Sequence, residues 1–222
     1  MVASSRIYYN KSTMPSFTEE KIFASQGYGR TAGIDEAGRG ALAGPVVAAA
    51  VIMPYRKKPR WYAEIDDSKV LTPQKRADLA PRIRETATGV GVGIVSHEVI
   101  DKRNIVQATV MAMKQAVAQI LPPPDSLLID FLTLPGAHLP QKGIVDGDHL
   151  CFSIACASII AKVTRDGLMA EMDGLHPGYG FARHKGYGTP EHISCLQKLG
   201  PCPIHRRTFD PLKEMLLQGR LI

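Results

Sequence analysis

The sequence predicts an α/β fold in which a sheet of mixed strand direction is flanked by helices. Two runs of small and branched apolar residues, RTAGIDEAG and PVVAAAVIMP, come early and indicate two paired strands joined by a tight turn. Further strand-like runs then alternate with two long helical patterns. Paired strands followed by such an alternation are typical of a mixed sheet with helices packed on it.

The elements of the first half of the chain follow in order. The segment PSFTEEKIFASQG predicts a short helix capped at Ser16 or Thr18. The two paired strands come next, and GVGIVS at 91–96 predicts a third strand. Residues 105–120 place apolar side chains near the helical period, and the prolines at 122–124 end that helix because proline lacks a backbone N–H.

The second half adds two strands and a long helix. SLLID predicts a buried strand that ends on Asp130, and GIV at 143–145 predicts a short edge strand. LCFSIACASIIAKVTRDGLMAEM predicts a long helix that ends at HPGYG. In open sheets of this kind ligands bind at the carboxyl ends of strands, and Asp35 and Asp130 both lie at such an end.

Composition favours a nucleic-acid partner. The 222 residues, with 45% hydrophobic content, suit one globular domain with a tail. The 27 Lys and Arg outnumber the 21 Asp and Glu, which favours an acidic partner. Between Phe181 and Arg207, five Lys or Arg and three His accompany a single acid, Glu191. The late part of the chain is therefore the expected basic surface.

Cysteine spacing and the N-terminus indicate a cytoplasmic protein. The four cysteines have neither the C-x-x-C spacing of a metal site nor the density of a disulfide scaffold, so we expect reduced thiols. The opening segment MVASSRIYYN lacks the apolar core of a signal peptide, and Gly44 and Pro45 interrupt the longest apolar run. Neither export nor membrane insertion is expected.

Four carboxylates on separate elements form the expected catalytic and metal-binding set. They are Asp35 and Glu36 in the first strand, Asp130 at the end of SLLID, and Asp166 in the long helix. Mg²⁺ and Mn²⁺ prefer oxygen ligands, and a two-metal phosphoryl-transfer site needs about four carboxylates to hold ions about 3.5–4 Å apart. Adjacent strand residues point to opposite faces, so Asp35 and Glu36 share a site only where the strand ends or twists.

Each acid also has a structural interpretation. Asp130 is a common type of strand-ending residue, and Asp166 follows Lys162 at the spacing of a helix-surface ion pair. Asp35 and Glu36 are harder to explain structurally, because two charges entering an apolar hairpin lose hydration unless cations or donors compensate. Metal binding is the simplest compensation.

Two short motifs have the composition of nucleic-acid contacts. In the GRG motif at 38–40, the glycines allow a duplex to approach backbone N–H groups and the arginine supplies charge for a phosphate. In ARHKGYGT, Arg183 and Lys185 precede Tyr187, whose ring can pack on a sugar or base. The alternatives are a tight turn with a solvated arginine and an ordinary, partly buried tyrosine.

Together these blocks resemble the type 2 ribonucleases H, specifically the bacterial ribonuclease HII family. The similarity runs from Ala32 to Phe209 and covers nearly all of the chain. AGIDEAGRGALAGPVVAAAVI and FSIACASIIAKVTRDGLM are the most specific blocks. The others also fall in the family's order: DDSKVLTPQKR, NIVQATVMAM, LLID, HKGYGTPEH and GPCPIHRRTF.

The resemblance implies a domain organisation and an activity. A lead-in at 1–31 would precede a ribonuclease H-like catalytic domain at 32–180, and a basic, helical region at 181–222 would complete the substrate cleft. The implied reaction is hydrolysis of the RNA strand in RNA–DNA hybrids and incision of duplex DNA at single embedded ribonucleotides. It would leave 3′-hydroxyl and 5′-phosphate ends. A monomeric cytoplasmic enzyme of ribonucleotide excision repair is expected.

The resemblance also assigns roles to residues. The four acids would hold Mg²⁺ or Mn²⁺ and carry catalysis. The substrate contacts would be Gly38, Arg39 and Gly40, which sense the junction between ribose and deoxyribose, together with Tyr187, which stacks, and the neighbouring Lys185 and Arg183.

Two positions depart from the family pattern. Asp130-Phe131-Leu132 replaces the usual Asp-Gly-Asn, which affects the geometry of the turn but keeps the acid. Asp146-Gly147-Asp148 replaces the usual Lys-Gly-Asp, which puts an anion where the family has a cation. We expect the second change to alter substrate affinity and not the type of reaction.

Two other functions compete with this interpretation. Ribonuclease HIII cleaves hybrids but incises single ribonucleotides poorly, and it normally carries a substantial N-terminal domain, whereas about 32 residues precede the first strand here. A non-catalytic hybrid-binding protein would tolerate the loss of one carboxylate, and all four are present. A magnesium-dependent nick at a single ribonucleotide discriminates between the three.

Overall fold

The computed structural model describes residues 14–56 and 59–219 and contains a five-stranded sheet. Its strands are β1 (Thr31–Ala37), β2 (Val46–Ile52), β3 (Gly89–Val95), β4 (Ser126–Asp130) and β5 (Gln141–Ile144). Their spatial order is β3-β2-β1-β4-β5. β2 is antiparallel to β1 and β3, whereas β4 is parallel to β1 and β5. The predicted α/β fold with a mixed sheet is confirmed.

Helices cover both faces of this sheet. In the described residues they are α1 (Thr18–Ser25), α2 (Pro73–Thr86), α3 (His97–Arg103), α4 (Ile105–Ala118), α5 (Gly147–Leu150), α6 (Phe152–Leu175), α7 (Phe181–His184), α8 (Pro190–Leu199) and α9 (Leu212–Leu217), with a 3₁₀ helix at Arg60–Glu64. The last three make up the helical C-terminal part expected from the sequence. No helix of the described residues has the length and apolarity that crossing a membrane requires.

The sheet is the middle layer of three. Ala49 and Val51 of β2 belong to a hydrophobic cluster with α2 and α6, whereas Ala48 and Ala50 belong to a cluster with α4. Alternate residues of a strand point to opposite faces. β2 therefore contributes to two cores, and every one of its residues is buried.

Glycines allow the two long helices to approach the sheet closely. A β-carbon at Gly93 of β3 would lie 1.9 Å from the carbonyl oxygen of Ala112 in α4. A β-carbon at Gly33 of β1 would lie 2.2 Å from the backbone of Ser153, near the start of α6. Glycine inside a strand often marks such an approach of another backbone.

The register of the parallel strands places two predicted acids side by side. Ile34 of β1 pairs with Ile129 of β4, so Asp35 and Asp130 are the next residues on neighbouring strands. Asp35 still lies inside β1, whereas Asp130 is the last residue of β4. Both side chains therefore lie towards the carboxyl ends of these parallel strands.

The structure describes the expected N-terminal lead-in only from residue 14. Its helix, α1, provides a side chain that caps the start of α6. Glu20 of α1 is buried, and its Oε1 accepts hydrogen bonds from the backbone N–H of Ser153 at 2.9 Å and from the thiol of Cys151 at 3.3 Å. Burial raises the pKa of Glu20. A carboxylate in this position satisfies N–H groups that the helix itself leaves unpaired.

Three details differ from the sequence expectation. The connection between β1 and β2 spans residues 38–45, which is longer than a tight turn. α1 begins at Thr18, but the residue at its cap position is Phe17. α2 was not predicted, because its charged sequence has little apolar periodicity. Thr72 caps it by accepting the N–H of Lys75, and a proline occupies its first turn.

We expect Gly93→Ala to destabilise the fold by about 1–3 kcal/mol, because the added methyl group would force α4 away from β3. Urea denaturation measures the change in the free energy of unfolding. Gly29→Ala is the matched control, because Gly29 is exposed and a β-carbon there would meet nothing within 4 Å. Equal stability of the two variants would contradict the close packing of α4.

Candidate active site

Three of the four predicted acids lie together where β1 and β4 end. Asp35 is buried, and its Oδ1 accepts the backbone N–H of Glu36 at 2.7 Å. Its carboxylate also interacts with the hydroxyl of Ser158 on α6. Oδ1 of Asp130 accepts the N–H of Gly147 at 2.8 Å. The charges of Asp35, Glu36 and Asp130 act on one another, so these residues form one carboxylate cluster.

Burial raises the pKa of each member of this carboxylate cluster. Burial is the main cause at Asp35, where the charges of Glu36 and Asp130 add to it. Burial also raises the pKa of Glu36, although Arg39 opposes the shift. Burial raises the pKa of Asp130 against the hydrogen bond from Gly147. Like charges in a shared buried site disfavour simultaneous ionisation, and a bound cation reverses that effect.

Asp166 lies among cations. Lys162 Nζ donates to its Oδ1 at 2.7 Å, so the ion pair weighed from the sequence is present. Its Oδ2 is 3.6 Å from the guanidinium of Arg76. Arg76 in turn donates to the carbonyl oxygen of Ser68 at 2.7 Å, and the hydroxyl of Ser68 is 2.8 Å from that of Ser158, the neighbour of Asp35. Asp166 is thus connected to the carboxylate cluster through intervening polar groups.

The donor set fits a hard divalent cation. Oε2 of Glu36 is buried and has no hydrogen-bond partner in the described part of the chain. Within that same part, no three His, Cys, Asp or Glu side chains are already arranged around one metal position. Mg²⁺ commonly takes one or two carboxylates and completes its shell with water and substrate phosphate oxygens. Asp35, Glu36 and Asp130 can hold such an ion without a preformed cage.

Lys69 is a site residue that the sequence interpretation did not identify. Its Nζ donates to Oδ2 of Asp148 at 2.9 Å. Burial lowers the pKa of Lys69, but the hydrogen bond and charge of Asp148 outweigh it, so that the pKa is raised. The charge of Lys69 lowers the pKa of Glu36 and of Asp130. Its sequence signal was its place in the family block DDSKVLTPQKR.

Both departures from the family pattern adopt left-handed backbone conformations. Phe131 has φ 59° and Asp146 has φ 54°. The turn after β4 therefore forms with phenylalanine in place of glycine, at a strain of about 1–2 kcal/mol. The charge of Asp146 contributes to the raised pKa of Asp130. A cation is nonetheless present near the cluster, because Lys69 supplies it.

The GRG motif and Tyr187 lie on two loops that contact each other. Leu42, just after the motif, donates its N–H to the carbonyl oxygen of Gly186 at 2.8 Å. Tyr187 is half-buried, with its ring centre 5.3 Å from the guanidinium carbon of Arg165. Within the motif, Arg39 donates to Oε1 of Glu36 at 3.2 Å, which joins the loop to the carboxylate cluster.

A chain of buried histidines supports the Tyr187 loop. Nδ1 of His192 is 3.0 Å from the carbonyl oxygen of Tyr187, so this nitrogen carries the proton. Nε2 of His192 then accepts a hydrogen bond, at 2.9 Å, from Nε2 of His205. Burial lowers the pKa of both histidines to about 4, which keeps the chain neutral at neutral pH.

Lys185 and Arg183 line a basic pocket beside Asp166. The pocket has a volume of about 370 Å³, and its charged lining residues are Arg76, Lys162, Asp166, Arg183 and Lys185. Lys185 Nζ donates to the backbone carbonyl of Asp166 at 3.4 Å. Arg183 forms an ion pair with Glu191. The excess of positive charge suits the phosphates of a nucleic-acid strand.

The fold is that of solved type 2 ribonucleases H. The crystal structure of ribonuclease H2 from Pyrococcus horikoshii OT3 matches with a TM-score of 0.72 at 24% sequence identity, covering 86% of this chain and 99% of that chain. The crystal structure of Bst-RNase HIII in complex with Mn²⁺ matches with a TM-score of 0.59 at 22% identity, covering 86% of this chain and 70% of that chain. At these identities the likeness concerns the fold.

Within that class, the ribonuclease HII family model matches residues 32–211. The ribonuclease HII of Dehalococcoides mccartyi (strain ATCC BAA-2266 / KCTC 15142 / 195) is 59% identical over 201 residues, which are 90% of this chain and 95% of that protein. The chain belongs to the ribonuclease HII family, as its sequence blocks indicated. It is a ribonuclease H, an endoribonuclease of RNA–DNA hybrids, and not a non-catalytic binding protein.

We expect Asp35→Asn to stabilise the metal-free protein. The folded-state pKa of Asp35 lies well above its ordinary value of 3.8, so its ionised form is disfavoured by folding. The stability advantage of the variant should be absent below pH 3.8 and grow as pH rises towards the folded-state pKa. Thermal melts in chelator across a pH series measure it, with Asp78→Asn, a change at an exposed residue of α2, as the control. A variant less stable than the parent at neutral pH would contradict the carboxylate cluster.

Proposed function

We propose that the protein incises duplex DNA at single embedded ribonucleotides, besides cleaving RNA–DNA hybrids, by two-metal-ion hydrolysis. The observation that carries the proposal is the cluster of the buried Asp35 and the partly buried Glu36 and Asp130 beside the GRG loop. The products carry 3′-hydroxyl and 5′-phosphate ends. The family supports hybrid cleavage, and the proximity of the GRG motif to the acids supports the finer specificity.

Asp35, Glu36, Asp130 and Asp166 form the proposed metal-binding and catalytic set. When bound, Mg²⁺ or Mn²⁺ activates the attacking water and stabilises the leaving 3′ oxygen. Asp35 and Asp130 project from neighbouring strands, so their oxygens can face one phosphodiester group. Lys162 and Arg76 orient Asp166 through ion pairs. Lys69 offsets part of the negative charge of the cluster.

The proposed substrate contacts lie on the two loops and in the basic pocket. They are Gly38, Arg39, Gly40, Tyr187, Lys185 and Arg183. Only a 2′-hydroxyl distinguishes ribose from deoxyribose at one nucleotide, so recognition requires closely approaching backbone groups, which the glycines permit. Arg39 holds a neighbouring phosphate, and the ring of Tyr187 packs on the following sugar, where an extra hydroxyl is disfavoured.

Segment 32–180 is the proposed catalytic domain, and segment 181–222 completes the cleft. Contacts between the loops of the two segments, such as the bond from Leu42 to Gly186, support this division of labour. The proposal includes a monomeric enzyme that serves ribonucleotide excision repair in the cytoplasm. The net charge of +6 supports its action on nucleic acid.

The direct test is cleavage of a DNA duplex that contains one ribonucleotide. We expect a single Mg²⁺- or Mn²⁺-dependent nick with a 3′-hydroxyl and a 5′-phosphate end, alongside cleavage of a uniform RNA–DNA hybrid. Cleavage of the hybrid alone would overturn the proposed specificity. Cleavage of either substrate in chelator would overturn the proposed mechanism.

Asp35→Asn and Asp130→Asn should each lower kcat by about a thousandfold or more, because each change removes a proposed metal-ligand charge. Hybrid binding should persist, because the basic surface is unchanged. Steady-state kinetics and a binding titration measure the two quantities, with Asp78→Asn as the control. Near-normal turnover by either variant would remove it from the metal-binding set.

Tyr187→Ala should reduce single-ribonucleotide incision by about tenfold or more, because stacking of an aromatic ring is worth about 1–3 kcal/mol. Tyr187→Phe separates packing from hydrogen bonding, because it keeps the ring and loses the hydroxyl. Rates on the single-ribonucleotide duplex, read beside thermal melts of both variants, provide the measurement. A wild-type rate for Tyr187→Ala would leave Tyr187 as an ordinary packed tyrosine.

A further inference from the structure

Two arginines behind the GRG loop and the Tyr187 loop are completely buried. Arg165 of α6 and Arg206 have no exposed surface. Neither forms an ion pair with a carboxylate of the described residues. Burial and the charge of Arg165 lower the pKa of Arg206 to about 9. Two positive charges are thus held inside the protein with no carboxylate from the described part of the chain at ion-pair distance, so other hydrogen-bond acceptors must offset the cost of burying them.

Backbone carbonyls are the partners of both guanidinium groups. Arg206 donates to the carbonyl oxygens of Gly38 at 2.8 Å, Arg39 at 2.9 Å and Gly44 at 3.0 Å. All three acceptors belong to the connection between β1 and β2. The planar fork of arginine suits several acceptors at fixed angles, which a lysine cannot reproduce.

The second arginine joins this connection to the tyrosine loop. Arg165 donates to the carbonyl oxygens of Ala43 at 3.1 Å and Pro45 at 2.9 Å. Its remaining bond, at 2.9 Å, reaches the carbonyl oxygen of Lys185, two residues before Tyr187. It also fills the space under Gly38, where a β-carbon would lie 1.9 Å from its Nε.

Binding of these carbonyls determines where the neighbouring N–H groups point. In a trans peptide unit the C=O and the following N–H point in opposite directions. The peptide bonds after Gly38 and Arg39 are trans, and both carbonyl oxygens point inward to Arg206. The N–H groups of Arg39 and Gly40 therefore point away from the interior, and neither has an acceptor among the described residues. Gly40 is exposed, and a β-carbon there would meet nothing within 4 Å.

We propose that Arg206 and Arg165 are positioning residues for ribonucleotide recognition. Arg206 turns the N–H groups of Arg39 and Gly40 towards the bound strand, where the 2′-hydroxyl of the ribonucleotide accepts from them. Arg165 fixes the Tyr187 loop against the GRG loop and places a positive charge below both. The inference rests on the proposed recognition of a single ribonucleotide by these loops. Successive outward N–H groups commonly bind anionic or polar oxygens.

Arg206→Lys is the decisive variant, because it keeps the positive charge and loses the planar guanidinium group with its several fixed donors. We expect the ratio of kcat/KM on the single-ribonucleotide duplex to kcat/KM on the uniform hybrid to fall by about tenfold, the effect of one or two hydrogen bonds to a charged group. Arg84→Lys, the same change at an exposed arginine of α2, should leave the ratio unchanged. Equal losses on both substrates, measured well below the melting temperature, would indicate a merely structural role and overturn the proposal.

A second measurement covers the case in which Arg206→Lys does not fold. The ¹⁵N-labelled wild-type protein is titrated in chelator with the single-ribonucleotide duplex and with an all-deoxy duplex of the same sequence. We expect the amide protons of Arg39 and Gly40 to move downfield only with the ribonucleotide. Identical shifts with the two duplexes would overturn the proposal. Absence of single-ribonucleotide incision by the wild type would instead refute the proposed function.

Discussion

The close packing of α6 on β1 is the contact on which the site depends. Gly33 leaves room for the backbone of Ser153, so the helix crosses the strand without an intervening side chain. The same helix then carries Ser158 to the carboxylate cluster. About two turns further on, it carries Arg165 to the GRG and Tyr187 loops and Asp166 to the basic pocket. A single helix thus sets the spacing between the carboxylate cluster and the two loops.

Charge in the site is separated into two buried layers. Acids lie at the ends of β1 and β4, and guanidinium groups lie behind the connection that follows β1. Each layer is destabilised by its own burial, which raises the pKa of the acids and lowers that of Arg206. In the proposed function, divalent cations offset the negative charge of the first layer. Under that proposal the free protein is destabilised by a site that its ligands stabilise, a common relation between stability and function.

Sequence reasoning predicted the three acids that the structure brings together, because charge conflicts with an apolar strand at Asp35 and Glu36 and because Asp130 ends a buried run. It also predicted the sheet, because the apolar pattern of a strand reflects which of its residues are buried. It did not identify Lys69 or Arg165, and it counted Arg206 as part of a basic surface, whereas the side chain of Arg206 is fully buried. Their partners are a distant acid or backbone carbonyls, which leave no periodic pattern. The length of the 38–45 connection was missed likewise, because contacts far along the chain determine its form.

The bond between Arg206 and Gly38 joins residues 168 positions apart. All five strands have been made once translation passes residue 144, but the carbonyl groups of the 38–45 connection acquire their last donors only after residue 206 has left the ribosome. The form of the 38–45 connection therefore depends on a residue synthesised long after the strands that the connection joins.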